Sequence, residues 1–419
     1  MITENRIKHT TVLVIVFLYC ILSAFFNSSI LKQKIPFYGG IAIAFFTVML
    51  IGHFRIVLNH LRGSDITSIV SKMIFIFTFS MFWTYLIWEQ SLVSSIITMA
   101  SLGGVFPLIT YFILYKQNIP SETIVKVIII LAFIYTICYL LGLLTLPNPL
   151  FGIKDELKEG FSSMIEQRGV IRLNVPGADF IVMAVFIILT QYRQRKKYYL
   201  FLIPLIIMLL MRGTRTPFFA TVAIGIAYYL WQMKHKLIVV ILCILLYFCS
   251  IQIFDLISRS NSTNPIVKYV QLTSSQIERN NTVEEDIRIE MAKYIFTDFN
   301  NENILRIMFG NGIPGYYGQY SKFIEKIGNE KGYYPVDTAL TSAYTYFGII
   351  GIIIYIALFR IVFLTKVPHE YLWAKLYVFY LFLISPTNCA LIISSTLMLA
   401  FSLYVLNRES KKILNKIIQ

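Results

Sequence analysis

The chain has 419 residues, of which 57% are hydrophobic and 14% are charged. Soluble domains carry about 25% charged residues, so this composition excludes an ordinary water-soluble enzyme. The 33 Phe and 27 Tyr exclude a disordered chain, because such chains are poor in aromatic residues.

Twelve apolar stretches along the chain are long enough, or nearly so, to cross a membrane as helices, which takes about 20 residues. Helices satisfy their backbone hydrogen bonds internally at that depth. We therefore predict an all-α fold, a polytopic transmembrane helix bundle of about 12 spans. The predicted spans are 10–30, 37–54, 69–88, 91–115, 123–146, 173–192, 198–211, 216–233, 237–257, 338–364, 371–388 and 390–406.

The spans divide the chain into three regions. Residues 1–257 hold transmembrane helices one to nine, with an outer loop at 147–172. Residues 258–337 form a large extracytoplasmic loop with an amphipathic helix. Residues 338–419 hold the last three spans and a cytoplasmic tail. Because long ordered loops are usually functional, we expect the two outer loops to contribute to a site.

The basic residues are unevenly distributed between the two sides of the predicted bundle. An even number of spans places both termini on one side, which then carries 20 Lys and Arg and 5 acidic residues. The other side carries 17 of each, so the whole net charge of +15 lies on the side of the termini. This pattern predicts that both termini are cytoplasmic. The charge is therefore a topology signal, and we expect no nucleic-acid partner.

Charged residues near the predicted membrane surface are candidates for a site, because charges in a membrane are costly. Asp179 lies one turn past Pro176 and Gly177, at the start of the sixth span, and Arg168 and Arg172 precede it. The alternative is a structural pairing of Asp179 with an arginine.

Two further arginines, Arg212 and Arg215, flank the outer start of the eighth span. Thr214 or Thr216 can cap that helix and Pro217 can occupy its first turn. Free N–H groups at a helix start, together with guanidinium groups, favour phosphate oxygens, so this segment predicts an anion site. The alternative is that the arginines extend to the membrane surface as snorkelling side chains.

The amphipathic helix of the large outer loop is predicted to follow a capping box formed by Thr282 and Glu285. Arg288 on this helix is a third basic candidate, with a solvated helix face as the alternative. Five apolar residues fall on one face of the helix at helical spacing. They are Ile287, Met291, Tyr294, Ile295 and Phe299.

A glycine-rich run follows from Phe309 to Gly318, in which Gly310 and Gly312 permit close approach of the backbone to a ligand. A turn between surface helices is the alternative, since the run lacks the Lys and Ser/Thr of a P-loop. Asp337 precedes the tenth span, as a helix cap or as a general base. The cysteines and histidines show no metal-binding spacing, so we expect no metal and no cofactor.

Several of these stretches resemble the bacterial O-antigen polymerase and O-antigen ligase superfamily. The first two are RGVIRLNVPGADF, which contains Arg168, Arg172 and Asp179, and LLMRGTRTPFFA, which contains Arg215. The loop stretches are DIRIEMAKYIF and ILRIMFGNGIPGY, and the last stretch is DTALTSAYTYFGIIG. Asp337 and Thr338 stand where the ligase pattern has His and Asn, which favours the polymerase branch.

The resemblance implies a glycosyltransferase in the bacterial inner membrane. It would join polyprenyl-diphosphate-linked oligosaccharide repeat units into O-antigen, capsular or exopolysaccharide at the outer face of that membrane. Its partners would be those lipid-linked oligosaccharides, the bilayer and a protein that controls chain length. A lipid-linked oligosaccharide flippase, whose loops are normally short, and an O-antigen ligase remain the alternatives.

The expected chemistry assigns a role to each candidate. Arg215 and Arg288 would hold the departing diphosphate through paired hydrogen bonds, and Asp337 would deprotonate the acceptor hydroxyl. With no acidic cluster in the sequence that would bind a metal, we expect the reaction to be independent of metal. The remaining candidates would bind substrate, and they are Arg168, Arg172, Arg212, Asp179, Gly310 and Gly312.

Overall fold

The computed structural model describes residues 2–22, 36–101, 105–145, 150–151, 175, 177–192, 196–211, 215–232, 287–300, 302–315, 318–389 and 395–418. Within these ranges the chain is helical and contains no strand, which confirms the all-α prediction. The helices up to residue 144 are α1 Ile2–Leu22, α2 Pro36–Asn59, α3 Ile66–Trp88, α4 Leu92–Ser101, α5 Val105–Leu108, α6 Thr110–Gln117 and α7 Ser121–Leu144.

The rest of the described chain continues in the same way. The next helices are α8 Asp179–Thr190, α9 Leu202–Met211 and α10 Arg215–Trp231. The last ones are α11 Ile287–Thr297, α12 Ile304–Phe309, α13 Gln319–Lys331, α14 Ala339–Leu364, α15 Trp373–Ile384 and α16 Thr396–Ile418. Short 3₁₀ turns occupy Lys196–Phe201, Pro335–Asp337 and His369–Tyr371.

Three of the described helices, α3, α7 and α14, are long and apolar enough to cross a membrane. Shorter apolar helices of 10–17 residues accompany them, including Asp179–Thr190 and Thr216–Trp231. This helix content supports the prediction of a membrane protein. The count of about 12 spans stays a prediction, and the predicted ninth span at 237–257 lies outside the described residues.

Some predicted boundaries were wrong. The fourth predicted span, 91–115, falls on the three short helices α4, α5 and α6, with residues 102–104 outside the described residues. The last predicted span, 390–406, is part of α16, which begins at Thr396 and continues to Ile418. Apolar runs predicted these segments, but a hydropathy pattern does not show where a helix breaks or how far a polar helix extends beyond the apolar run.

One end of the bundle, the Asp179 end, is defined by contacts between helix termini. Asp179 begins α8 and accepts a hydrogen bond from the hydroxyl of Ser395, which precedes α16, at 2.6 Å. The backbone N–H of Ala339, the first residue of α14, donates to the carbonyl of Ser385, just after α15, at 2.8 Å. The starts of α8 and α16 therefore lie together, and the start of α14 lies beside the end of α15.

The opposite end, the Glu409 end, holds a buried polar network. Glu409 of α16 is 2% exposed and accepts a hydrogen bond from Ser121, the first residue of α7, at 2.6 Å. Lys412 forms an ion pair with the same carboxylate at 2.8 Å. Asn407 donates to the hydroxyl of Tyr111 in α6 at 2.8 Å. The network joins the starts of α6 and α7 to α16.

Lysines within α3 and α15 also direct their charge to the Glu409 end. The ammonium of Lys72 donates to the carbonyl of Gly63, which precedes α3, at 3.1 Å. The ammonium of Lys375 donates to the carbonyl of Phe363, near the end of α14, at 2.9 Å. Both side chains thus extend along their helices to the surface, which is the behaviour of lysines near a membrane interface.

A helical cap, formed by α11, α12, α13 and the turn to Asp337, covers part of the Asp179 end. It has its own apolar core, separate from that of the bundle and shared with the start of α14. The buried residues of this core are Met291, Ile295, Phe299, Tyr320, Ile327 and Tyr344.

The predicted amphipathic helix is present in the cap as α11. Met291 and Ile295 are buried as the helical spacing predicts, whereas Ile287 at the start of the helix is 52% exposed. The predicted capping box at Thr282 and Glu285 lies outside the described residues.

Candidate functional site

The cap is attached to the bundle where α14 is interrupted. Gly348, within α14, has φ 62° and ψ −157°, so the helix breaks there and the carbonyls before it lose their helical partners. The N–H of Asn311 donates to the carbonyl of Thr345 at 2.7 Å, and the N–H of Gly312 donates to the carbonyl of Tyr346 at 3.0 Å. We call residues 310–315 the strap, because they fasten the cap to α14.

Gly310 and Gly312 are packed into this attachment. Their φ values are 74° and 76°, a region that favours glycine. A Cβ at Gly310 would lie 2.5 Å from the backbone nitrogen of Phe347, and one at Gly312 would overlap the side chain of Thr84. The N–H of Gly310 is also used, in a 2.8 Å bond to the carbonyl of Arg306. Both glycines therefore lie in a packed turn. This is the alternative that the sequence left open beside contact with a ligand.

Asp337 is not the cap of α14. The side chain of Thr338 performs that role, accepting a hydrogen bond from the N–H of Thr341 at 3.3 Å. The capping alternative for Asp337 is therefore wrong. Its carboxylate makes no hydrogen bond to any described residue.

Asp337 and Arg288 lie near each other although 49 positions separate them in the chain. Asp337 is exposed, yet neighbouring protein atoms remove part of the hydration of its carboxyl group, and this raises its pKa above the ordinary value. The positive charge of Arg288 acts in the opposite direction and lowers the pKa. The two described side chains do not form a direct ion pair. The structure thus brings together a carboxylate and a guanidinium that the sequence assigned to separate segments.

Asp179 occupies the first turn of α8, where the partial positive charge of the helix start favours a carboxylate. Its hydrogen bond to Ser395 joins α8 to α16. Asp179 therefore has a structural contact, as the alternative interpretation of the sequence expected. The partner that the structure shows is a hydroxyl group, whereas that interpretation named an arginine.

Arg215 is the first residue of α10, and its side chain lies outside the described part of the structure. The hydroxyls of Tyr135 and Tyr139, in the second half of α7, donate to the carbonyls of Val175 and Met211, both at 3.0 Å. Val175 precedes α8 and Met211 ends α9. The end of α9 therefore lies at the Asp179 end, the end that also carries Asp337.

The capping prediction for α10 is resolved in part. Thr216 is inside the helix and is not its cap, while Thr214 lies outside the described residues. Pro217 occupies the first turn, as predicted. The remaining arginine candidates, Arg168, Arg172 and Arg212, also lie outside the described residues.

Two residues that sequence reasoning missed lie at the same end. The guanidinium of Arg306 in α12 stacks over the ring of Trp88 at 4.9 Å from its centre, which fixes the cap against the end of α3. Cys389, after α15, has a thiol whose pKa is raised by burial and, to a smaller extent, by the negative charge of the nearby Asp337. No sequence pattern indicates either contact, because Arg306 and Trp88 are 218 positions apart and Cys389 and Asp337 are 52 positions apart.

Among the described residues, no group of three or more His, Cys, Asp or Glu side chains could hold a metal ion. Compared with known proteins, the chain matches no protein-family model and no curated protein. The described part of the chain is a helical protein with membrane-spanning character and a helical cap over one end of the bundle. Its function has to be argued from that end.

Proposed function

We propose that the protein is a polymerase in the bacterial inner membrane. It joins polyprenyl-diphosphate-linked oligosaccharide repeat units into O-antigen, capsular or exopolysaccharide. In this proposal the chain has about 12 spans, both termini are cytoplasmic, and the cap is extracytoplasmic. The observation that carries the proposal is the proximity of Arg288 and Asp337, from two separate segments, at the end where α10 begins with Arg215.

The location suits substrates that are held in the membrane by a lipid. The Asp179 end combines apolar helices with a polar cap, so a lipid tail can remain among the helices while the sugars lie beneath the cap. Arginine suits a diphosphate because its guanidinium donates two parallel hydrogen bonds to phosphate oxygens. Arg288 and Arg215 are the groups we assign to this contact, with Arg168, Arg172 and Arg212 as further candidates.

The reaction follows from these positions. A hydroxyl of the incoming lipid-linked unit attacks the anomeric carbon of the growing chain, forming the new glycosidic C–O bond. The bond from that carbon to the diphosphate oxygen breaks, and its electron pair leaves with polyprenyl diphosphate. Asp337 accepts the proton of the attacking hydroxyl, and its raised pKa brings it closer to that of an effective base. The arginines stabilise the charge that develops on the leaving diphosphate.

The proposal is tested by replacing Arg215 and Arg288 separately with Ala and with Lys. We expect each Ala variant to shorten the polymer on the cell surface, with a rate loss of about 10²–10³-fold. Lys keeps the charge but loses the fork of two donors, so we expect it to recover part of the activity. The matched control is Arg55→Ala, which removes an exposed arginine of α2. Long polymers from both Ala variants at normal protein levels would end the proposal.

Deletion of the gene distinguishes the classes of function. A polymerase defect leaves single lipid-linked repeat units on the outer leaflet, whereas a flippase defect leaves them on the inner leaflet. A ligase defect leaves long polymers on their lipid carrier, not transferred to a core. A normal ratio of long to short chains in a strain that lacks only the chain-length partner would also remove that partner from the proposal.

A further inference from the structure

A cavity of about 740 Å³ lies between α1, α2 and α6, away from the Asp179 end. Lys116 and Gln117, at the end of α6, place it near the Glu409 end. Its volume is within the range of about 300–1,000 Å³ that is usual for small-molecule sites. Most of its surface is apolar, but half of its lining residues are polar, and these are Thr10, Thr11, His53, Lys116 and Gln117.

The polar half offers a cationic donor and two acceptors. Lys116 is exposed and forms no ion pair with a described residue. The side-chain oxygen of Gln117 is buried and has no hydrogen-bond partner among the described residues. The Nδ1 of His53 donates to the carbonyl of Met49 at 2.8 Å, because a carbonyl can only accept. The Nε2 of the neutral ring is therefore an acceptor.

The other half of the lining is apolar and opens toward the side of the bundle. Val14 of α1 lines the cavity and is 44% exposed, and Phe45 and Met49 of α2 continue the apolar wall. A ligand that fits this lining carries a negative charge and hydroxyl donors at one end and a hydrocarbon chain at the other.

We infer that this cavity binds an anionic glycerophospholipid of the phosphatidylglycerol class. Its phosphate lies against Lys116, its glycerol hydroxyls donate to Gln117 and His53, and an acyl chain follows Val14 and Phe45. The Glu409 end supports an anionic occupant, because the chain's whole excess of basic residues is predicted there and basic pockets between helices on that side bind anionic headgroups.

The test uses the full chain, purified in mixed micelles that contain equal amounts of phosphatidylglycerol, phosphatidylethanolamine and phosphatidylcholine. Native mass spectrometry counts the lipid that each protein molecule retains. We expect phosphatidylglycerol to be retained in preference to the other two. Lys116→Gln is expected to lower its affinity about fivefold, the value of one cation near a charged headgroup. The matched control, Lys126→Gln, removes an exposed lysine of α7 that does not line the cavity.

A second variant tests the hydroxyl contacts. Gln117→Leu keeps the size of the side chain and removes the acceptor. In micelles that contain equal amounts of phosphatidylglycerol and phosphatidic acid, we therefore expect its preference for phosphatidylglycerol to fall. Equal retention of phosphatidylglycerol and phosphatidylcholine by the unmodified protein overturns the inference. So does an equal loss in Lys126→Gln, which would show a general effect of surface charge. Displacement of the lipid by inorganic phosphate would show a site for free anions and would also overturn it.

Discussion

The two ends of the bundle treat their carboxylates in opposite ways. At the Glu409 end, Glu409 is buried, accepts from Ser121 and pairs with Lys412, so its charge is compensated within the fold. At the Asp179 end, Asp337 is exposed, its carboxylate makes no hydrogen bond to a described residue, and the charge of Arg288 acts on it without a direct ion pair. Of these two carboxylates, only that of Asp337 has no hydrogen-bond partner among the described residues.

In a chain with few charges, this difference indicates which carboxylate is available for catalysis. A carboxylate that already has two close partners is held in place, and it contributes to joining helices. A carboxylate that has lost hydration without gaining partners is available to a substrate. By this criterion Asp337 stands apart from Glu409, and Asp179, with its bond to Ser395, lies between them.

The largest expected effect comes from Asp337→Asn, which keeps the size of the side chain and removes the base. We expect the rate of polymer formation to fall about 10²–10⁴-fold, the usual contribution of general base catalysis. The rate is measured with purified protein in liposomes that contain the lipid-linked substrate. Glu325→Gln removes an exposed carboxylate of the same cap and is expected to leave the rate unchanged. Equal rates for the two variants would remove Asp337 from the mechanism.

The next effect is on stability. Gly310→Ala introduces a Cβ 2.5 Å from the backbone of Phe347 at a residue with positive φ, so we expect a loss of about 2–5 kcal/mol in the free energy of unfolding. The thermal midpoint in detergent measures it. Since the glycine serves packing, the activity of each folded molecule should be retained. A stable variant with weakened substrate binding would restore the ligand-contact interpretation.

A smaller loss of stability is expected at the opposite end. Glu409→Gln removes the charge that Lys412 and Ser121 contact, and we expect about 1–3 kcal/mol less stability with unchanged activity per folded molecule. Unfolding in detergent and the liposome assay measure the two quantities on one preparation. Lost activity in a stable Glu409→Gln protein would contradict the division of roles between the ends.

The smallest expected effect is in the pH profile. Polymer formation requires ionised Asp337, so the rate falls as the pH drops through its raised pKa. Arg288 lowers that pKa, and its removal in Arg288→Gln therefore moves the acidic limb of the residual activity to higher pH. Arg288→Lys keeps the positive charge and is expected to keep the limb in place. A limb that is identical in both variants would show that Arg288 and Asp337 act independently.

The sequence predicted the parts of the fold that depend on local pattern. Hydropathy predicted the apolar helices, and the spacing of Met291 and Ile295 predicted the buried face of α11. It did not predict the break in α14, because that break depends on which distant backbone groups supply hydrogen bonds. Gly348, for example, is in a helical pattern, and its break follows from the strap bonded beside it.

The sequence predicted which residues belong to the candidate site better than it predicted how those residues are arranged. The sequence indicated Arg288 as a basic residue on the predicted amphipathic helix, which the family resemblance also favoured, and Asp337 as the carboxylate that precedes the tenth span. Their proximity was not visible, since it results from the packing of the cap on α14. The roles of Gly310 and Thr338 were also hidden, because a glycine in a packed turn and one beside a ligand have the same sequence.

The strap makes the cap and α14 dependent on each other. Two of its amides complete the hydrogen bonding of α14 at the break before Gly348. Neither the cap nor the interrupted helix is therefore complete alone, and we expect the amides of Asn311 and Gly312 to exchange with deuterium as slowly as those of the adjoining helix. A chimeric protein that takes its cap from a different chain would need to take the start of α14 with it.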